Sequence, residues 1–228
     1  METVGDWVPV ALSGQVETAS STGVVVNGTE LVVWRDNKGA AHIWEDRCPH
    51  RGMRMSFGFV RGDHLACLYH GWQYDTSGQC QHIPAHPDLE VPKTIRLRTY
   101  GVAERNGMIW AGLNETSDVA ALAPAIDGLT PVRSLYIDVS AESLMAYLAS
   151  ARLPGDANTA ALENLGPNLL ALKGETTTVL LGVQPMAEHK LGLHIVTASG
   201  EPSTVAGLAR WAQALRLAIE TGLASEAA

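Results

Sequence analysis

Cys48-Pro49-His50-Arg51-Gly52 and, with sixteen residues between His50 and its Cys, Cys67-Leu68-Tyr69-His70-Gly71-Trp72 decide how the rest of this chain is read. Each stretch sets a Cys two or three positions before a His, and a Gly follows that His directly or one residue on. Two thiolates and two imidazoles could close a zinc site, but zinc modules use other ligand spacings. Two short loops, each offering one Cys and one His to a shared centre, suit a two-iron cluster with two Cys on one iron and two His on the other.

These two motifs resemble the cluster loops of Rieske proteins, and the resemblance covers roughly residues 5–113. It implies Cys48, His50, Cys67 and His70 as ligands of a Rieske [2Fe–2S] cluster. Rieske proteins of respiratory cytochrome bc complexes join their two loops by an extra disulfide. With three Cys in total and two of them implied as ligands, Cys80 has no partner for such a bond. The loops look instead like those of ring-hydroxylating and demethylating Rieske non-haem iron oxygenases. Cys80 is expected as a small buried residue in a strand. Trp72 is expected beneath the cluster, and Gly52 and Gly71 leave room for backbone N–H groups to approach its sulfides.

Composition narrows the function classes. The net charge of −8 divides into −3 over residues 1–115 (10 basic, 13 acidic) and −5 over 116–228 (6 basic, 11 acidic), which offers nothing to nucleic acid. No cationic start precedes an apolar run and no apolar stretch of membrane-spanning length follows, so no membrane partner is expected. Free thiols beside an iron–sulfur centre point to the cytoplasm.

The fold class read from the chain is α+β. Trp7–Leu12 reads as a first strand. Val24–Val26 meets Leu31–Trp34 across Asn27-Gly28, a strong hairpin signal. Ala41–Trp44 leads to the first motif, and Trp72–Tyr74 and Gln79–Gln81 flank a turn at Asp75–Gly78. Thr99–Ala103 pairs with Met108–Ala111 across Arg105-Asn106-Gly107. Residues 1–113 thus form an antiparallel β domain, and 114–134, rich in Ala, Pro and Gly, a linker. Over 135–228, Leu135–Val139 reads as a strand and Ser140 caps a helix bearing Leu144, Tyr147, Leu148 and Ala151. Thr176–Gln184 and Leu191–Ala198 read as paired strands. A terminal helix opens at Pro202-Ser203, with Val205, Leu208, Ala212, Leu215 and Ile219 on one face and Gly222 as its stop. That order resembles a shortened form of the helix-grip domain of Rieske oxygenases.

Full oxygenases hold a mononuclear Fe(II) through two His and one carboxylate in that domain. Here no His occurs between His86 and His189, and the stretch from Ser143 to Gly166 offers Asp156 and Glu163 without an imidazole. Mononuclear Fe(II) is therefore not expected in this chain. His189 and His194 are the remaining candidates. On one continuous strand they lie about 16 Å apart on opposite faces, so a turn His and a strand His are the plainer reading.

His42, His64, His82 and His86 are expected in surface or hydrogen-bonding roles. Arg47, Arg51, Arg54 and Arg61 bracket the first motif and either face an acidic electron donor or support the loop. The resemblance implies an electron-transfer or auxiliary subunit of a multicomponent oxygenase, for hydroxylation or demethylation. Its partners would be a reductase or ferredoxin and a catalytic oxygenase subunit, in a hetero-oligomer. Two alternatives stay open: a complete oxygenase with atypical Fe(II) ligands, and a non-catalytic redox-sensing or structural subunit.

Overall fold

The computed structural model describes residues 6–114 and 117–222. Met1–Gly5, Glu115 and Thr116 of the expected linker, and residues 223–228 of the expected second domain lie outside them.

The first half builds ten strands: β1 (Trp7–Leu12), β2 (Ser21–Val26), β3 (Thr29–Arg35), β4 (Ala41–Glu45), β5 (Phe59–Arg61), β6 (His64–Ala66), β7 (Gln73–Asp75), β8 (Cys80–His82), β9 (Thr99–Arg105) and β10 (Met108–Gly112). Asn27 and Gly28 both take left-handed backbone, φ 48° and 77°, the form a two-residue hairpin turn needs to match strand twist. Asn106-Gly107 repeats the device at φ 55° and 71°. That turn is tighter than the sequence suggests, because Arg105 stays in β9 opposite Met108. The short β5 and β6 carry too few residues for an alternation to show in the sequence.

Two antiparallel sheets result. One runs β1-β10-β9-β4-β3-β2 and the other β5-β6-β7-β8. Strand alternation sends Val33, Ile43 and Ile109 to one face of the larger sheet. Val32, Trp34 and Trp44 point to the other, where Leu65, Tyr74 and Cys80 of the small sheet cover them. The loops from β4 to β5 and from β6 to β7 therefore leave one packed core side by side.

The second half adds β11 (Thr130–Ile137), α1 (Ala141–Ala149), β12 (Ala161–Gly166), β13 (Leu169–Lys173), β14 (Thr178–Ala187), β15 (Lys190–Thr197) and α2 (Pro202–Thr221). The strands form one antiparallel sheet in the order β11-β15-β14-β13-β12. β11 starts at Thr130, inside the stretch read as linker, where it pairs with Thr197. Pro131 is tolerated because β11 is an edge strand. The hairpin of β12 and β13 was not foreseen, since its turn rests on Gly166-Pro167-Asn168 with a register shift beside it. Ser140 caps α1 by accepting from the Ser143 N–H, as expected. Leu208, Ala212, Leu215 and Ile219 of α2 are buried with Trp211, Val205 is half-buried, and Gly222 ends the helix at φ 68°.

The two halves share a core. Trp7, Leu12, Met108 and Trp110 of the first pack with Leu169, Ala171, Leu180 and Val196 of the second. Gly182 permits this approach, since a Cβ there would lie 2.5 Å from the Met108 sulfur. Among the described residues no helix is long and apolar enough to cross a membrane.

Candidate metal centre

The two motifs fold into the same backbone circuit. In the first loop the Cys48 N–H donates to the Met53 carbonyl and the Gly52 N–H to the Cys48 carbonyl, each at 2.8 Å. In the second, the Cys67 N–H donates to Trp72 O and the Gly71 N–H to Cys67 O, each at 2.9 Å. Both circuits need left-handed backbone at the fourth residue after Cys, and Gly52 and Gly71 supply it with φ 70° each. The expected loop glycines thus have a definite task in turning the chain.

Side chains then sort by depth. Cys48 and Cys67 are each 3% exposed and lie in hydrogen-bonding contact. His50 is half-buried and His70 exposed, with ring centroids 4.7 Å apart. The Cys48 thiol is pulled down to about 6, chiefly by the hydrogen bond with Cys67, then by the Tyr74 hydroxyl and the loop N–H groups of His50 and Arg51; burial opposes the shift. Cys67 moves the other way because its neighbour takes the negative charge first, and burial adds to this. A cation at this spot favours both thiolates.

No three of the described His, Cys, Asp and Glu side chains converge on one point, as a single-ion site would require. Two thiols at the base and two imidazoles at the rim fit a two-iron cluster better than zinc. No ring nitrogen of His50 or His70 has a hydrogen-bond partner among the described residues. Cys80 is 2% exposed in β8, with its thiol pushed up to about 11 by burial.

Trp72 stacks face-on against His50, 4.2 Å between centroids and 4° between planes, and packs against the core that buries Cys48 and Cys67. The left-handed turn at Gly71 carries its indole over the neighbouring loop. Trp44, Met55, Leu65 and Tyr74 occupy the floor. Tyr69 stacks on His70 at 3.9 Å.

Sequence reasoning missed three supporting residues. Tyr74 places its hydroxyl 3.2 Å from the Cys48 sulfur; its place on an alternating strand two residues after Trp72 was the only signal. Asp46, 1% exposed, accepts from the Ser56 N–H and the Ser56 hydroxyl, both at 2.7 Å, and pins the two ends of the first loop together. Glu30 on β3 pairs with both Arg47 and Arg54. Those two arginines therefore support the loop, whereas Arg51 and Arg61 are exposed and make no ion pair among the described residues.

His189 and His194 are not brought together. His189 sits exposed in the turn between β14 and β15. His194 is fully buried, with Nδ1 2.8 Å from Ser134 Oγ and Nε2 2.9 Å from Gln184 Oε1. Gln184 donates its amide to Val25 O at 2.8 Å, so its Oε1 accepts and His194 Nε2 carries the proton. Ser134 Oγ also meets Gln15 Oε1 at 2.7 Å, so this network stitches the two halves. Burial pushes the His194 imidazole down to about 4. His42 bonds Asp36 and His64 lies against Asp63. His82 ends β8, and the His86 N–H closes a turn on Ile83 O.

The profile of the Rieske [2Fe-2S] domain matches residues 6–100. The chain is 34% identical over 153 residues to an oxidoreductase, NdmD, of Pseudomonas putida, covering 64% of this chain and 26% of that protein. It is 39% identical over 118 residues to the methylxanthine N1-demethylase NdmA of the same species, covering 49% and 33%. The chain thus spans well under half the length of either relative. The fold of apo dicamba monooxygenase superposes with a TM-score of 0.76 over 94% of this chain and 85% of that one, at 18% identity. This likeness in fold runs through the second half as well as the first. Residues 6–100 thus match the Rieske [2Fe-2S] domain, and the fold of the chain is similar to that of dicamba monooxygenase.

Proposed function

We propose that Cys48 and Cys67 hold one iron of a Rieske [2Fe–2S] cluster and His50 and His70 the other. In this reading the chain is the electron-transfer or auxiliary subunit of a multicomponent oxygenase in the cytoplasm. It takes electrons from a reductase or ferredoxin and passes them to a partner catalytic subunit that hydroxylates or demethylates its substrate. The cluster, when bound, supplies one-electron transfer. The chain's own residues keep the thiolates dry, leave the imidazole edge open to a partner and, through Tyr74, donate to a thiolate. The same proposal divides the chain into a Rieske domain (1–113), a connection within 114–134 and a shortened helix-grip-like unit, to which β11 already belongs.

One observation carries the reading. The first half sets two thiols beside two imidazoles whose ring nitrogens have no partner among the described residues, while α1 and the strand after it carry no imidazole and His194 has both nitrogens engaged. Iron content and oxygen uptake of the purified chain test it. We expect two irons per chain and no substrate-dependent oxygen consumption until a catalytic partner is added. Three irons with coupled product from the chain alone would establish a complete oxygenase with atypical Fe(II) ligands. Reversible reduction with no turnover beside any oxygenase subunit would leave a redox-sensing role.

A further inference from the structure

We propose that the cleft between the loop after α1 and one flank of α2 is a binding site for a small carboxylate with a compact apolar body. Six basic side chains stand against eleven acidic ones in residues 116–228. Lys173, Lys190 and Arg216 each pair with an acid, and Arg133 donates to the Ala209 carbonyl. Arg152 and Arg210 alone have no partner among the described residues, and both line this one cleft. Within α2, Arg210 finds no acid one turn away, because Ala206, Gly207, Gln213 and Ala214 occupy those positions. Two like charges brought to one concavity repel each other, and an anion between them relieves both. No strand residue lines the cleft.

The cleft measures about 270 Å3, just under the range of drug-sized guests. Gly207, Trp211 and Ala214 of α2 form its floor, and Leu153 and Pro154 overhang it. A Cβ on Gly207 would lie 3.8 Å from the Pro154 Cβ, an ordinary contact, so the absent side chain leaves usable space. Trp211 is only 9% exposed, yet its Nε1–H has no acceptor among the described residues and is not sealed from solvent. It adds a third donor to the two guanidiniums. The one carboxylate in the lining, Asp156, is already engaged. It accepts from the Glu175 N–H at 3.0 Å and the Thr176 hydroxyl at 2.9 Å. That anchor, the Asp156 N–H on the Leu153 carbonyl at 3.1 Å and the left-handed turn at Gly155, φ 87°, fix the overhang before a guest arrives. Donors without a free acceptor call for an anion, and the apolar floor calls for a short hydrocarbon body beside it. With no free base, nucleophile or metal donor in the lining, the site binds its guest and does not transform it. The inference stands apart from the cluster assignment.

The test is titration calorimetry on the cluster-loaded full chain with three probes: cyclohexanecarboxylate, its neutral isostere cyclohexanecarboxamide, and inorganic phosphate. We expect saturable binding of the carboxylate, weakened by added salt, with the amide and phosphate each at least about 10-fold weaker. Arg152→Gln and Arg210→Gln should each weaken the carboxylate by about 10-fold. Neither should shift the melting temperature, since neither side chain has a partner to lose. Gly207→Leu keeps both cations, fills the floor and should abolish binding while favouring the helix. Ala214→Leu, at an exposed position, fills the same floor if that variant does not fold. Absence of carboxylate binding, an amide or phosphate that binds as tightly, or folded variants that bind as the parent does would each overturn the proposal.

Discussion

The two halves of the molecule treat histidine in opposite ways. His50 and His70 stand at the tip of two loops, flanked by aromatic rings and without a hydrogen-bond partner for any ring nitrogen among the described residues. His194 lies deeper than either and has both nitrogens bound. Depth alone therefore says little about function. A protein that buries an imidazole for its structure satisfies it, because an unmet buried polar group is costly. One that keeps imidazoles for a metal leaves their lone pairs open.

The sharpest way to break this comparison is at the open pair. Replacing His50 or His70 with Ala, or Cys48 or Cys67 with Ser, should abolish the Rieske absorption and EPR signals entirely. Cys80→Ser should leave both intact, since Cys80 packs in β8. A cluster that survives loss of either His but not of Cys80 would reverse the assignment.

The closed histidine makes the next largest prediction. Its imidazole titrates at about 4 in the fold because of burial, against about 6.5 in an unfolded chain. Protons thus bind the unfolded state more tightly, and acid favours unfolding. Stability should be unaffected by His194 above about pH 6.5 and decline as the pH falls from there towards 4, by roughly 3 kcal/mol in all. Denaturant melts across that window would show it, and His194→Gln should flatten the slope. An unchanged slope would mean that His194 is not the group being titrated.

Framing of the open pair comes third. Asp46→Ala strips two partners from Ser56, which should cost about 2 kcal/mol and lower Tm by roughly 4–8 °C. Glu30→Gln weakens two partly exposed ion pairs and should cost under about 1 kcal/mol. If Glu30 proves the more damaging, the first loop is held by charge and not by the buried carboxylate. The smallest effect belongs to Tyr74→Phe. A hydroxyl donating to a sulfur stabilises the electron-rich state, so its loss should lower the midpoint potential by about 40 mV, the equivalent of ~1 kcal/mol. Protein-film voltammetry would resolve that, with cluster content unchanged.

The contrast also explains what was legible in the sequence. Cys48, His50, Cys67 and His70 stand out because the loops must turn within a few residues, and turns leave local marks such as Gly52 and Gly71. Asn27-Gly28, Ser140 and Gly222 were legible for the same reason. Asp46, Glu30 and Tyr74 were not, because their partners lie ten to twenty-six residues away and nothing local records the pairing. β12 and β13 escaped because a short strand against a neighbouring hairpin needs no periodicity of its own.

The core shared by Trp7, Met108 and Trp110 with Leu169, Leu180 and Val196 has a kinetic consequence. A cluster on a tethered arm could swing to its acceptor, and its delivery rate would depend on the length of the tether. Here the arm is welded to the body, so the imidazole edge moves only as the whole molecule tumbles. In the proposed electron-transfer role, delivery to a partner would then be an encounter problem: second order, proportional to partner concentration until the complex saturates, and insensitive to changes in the connection between the halves.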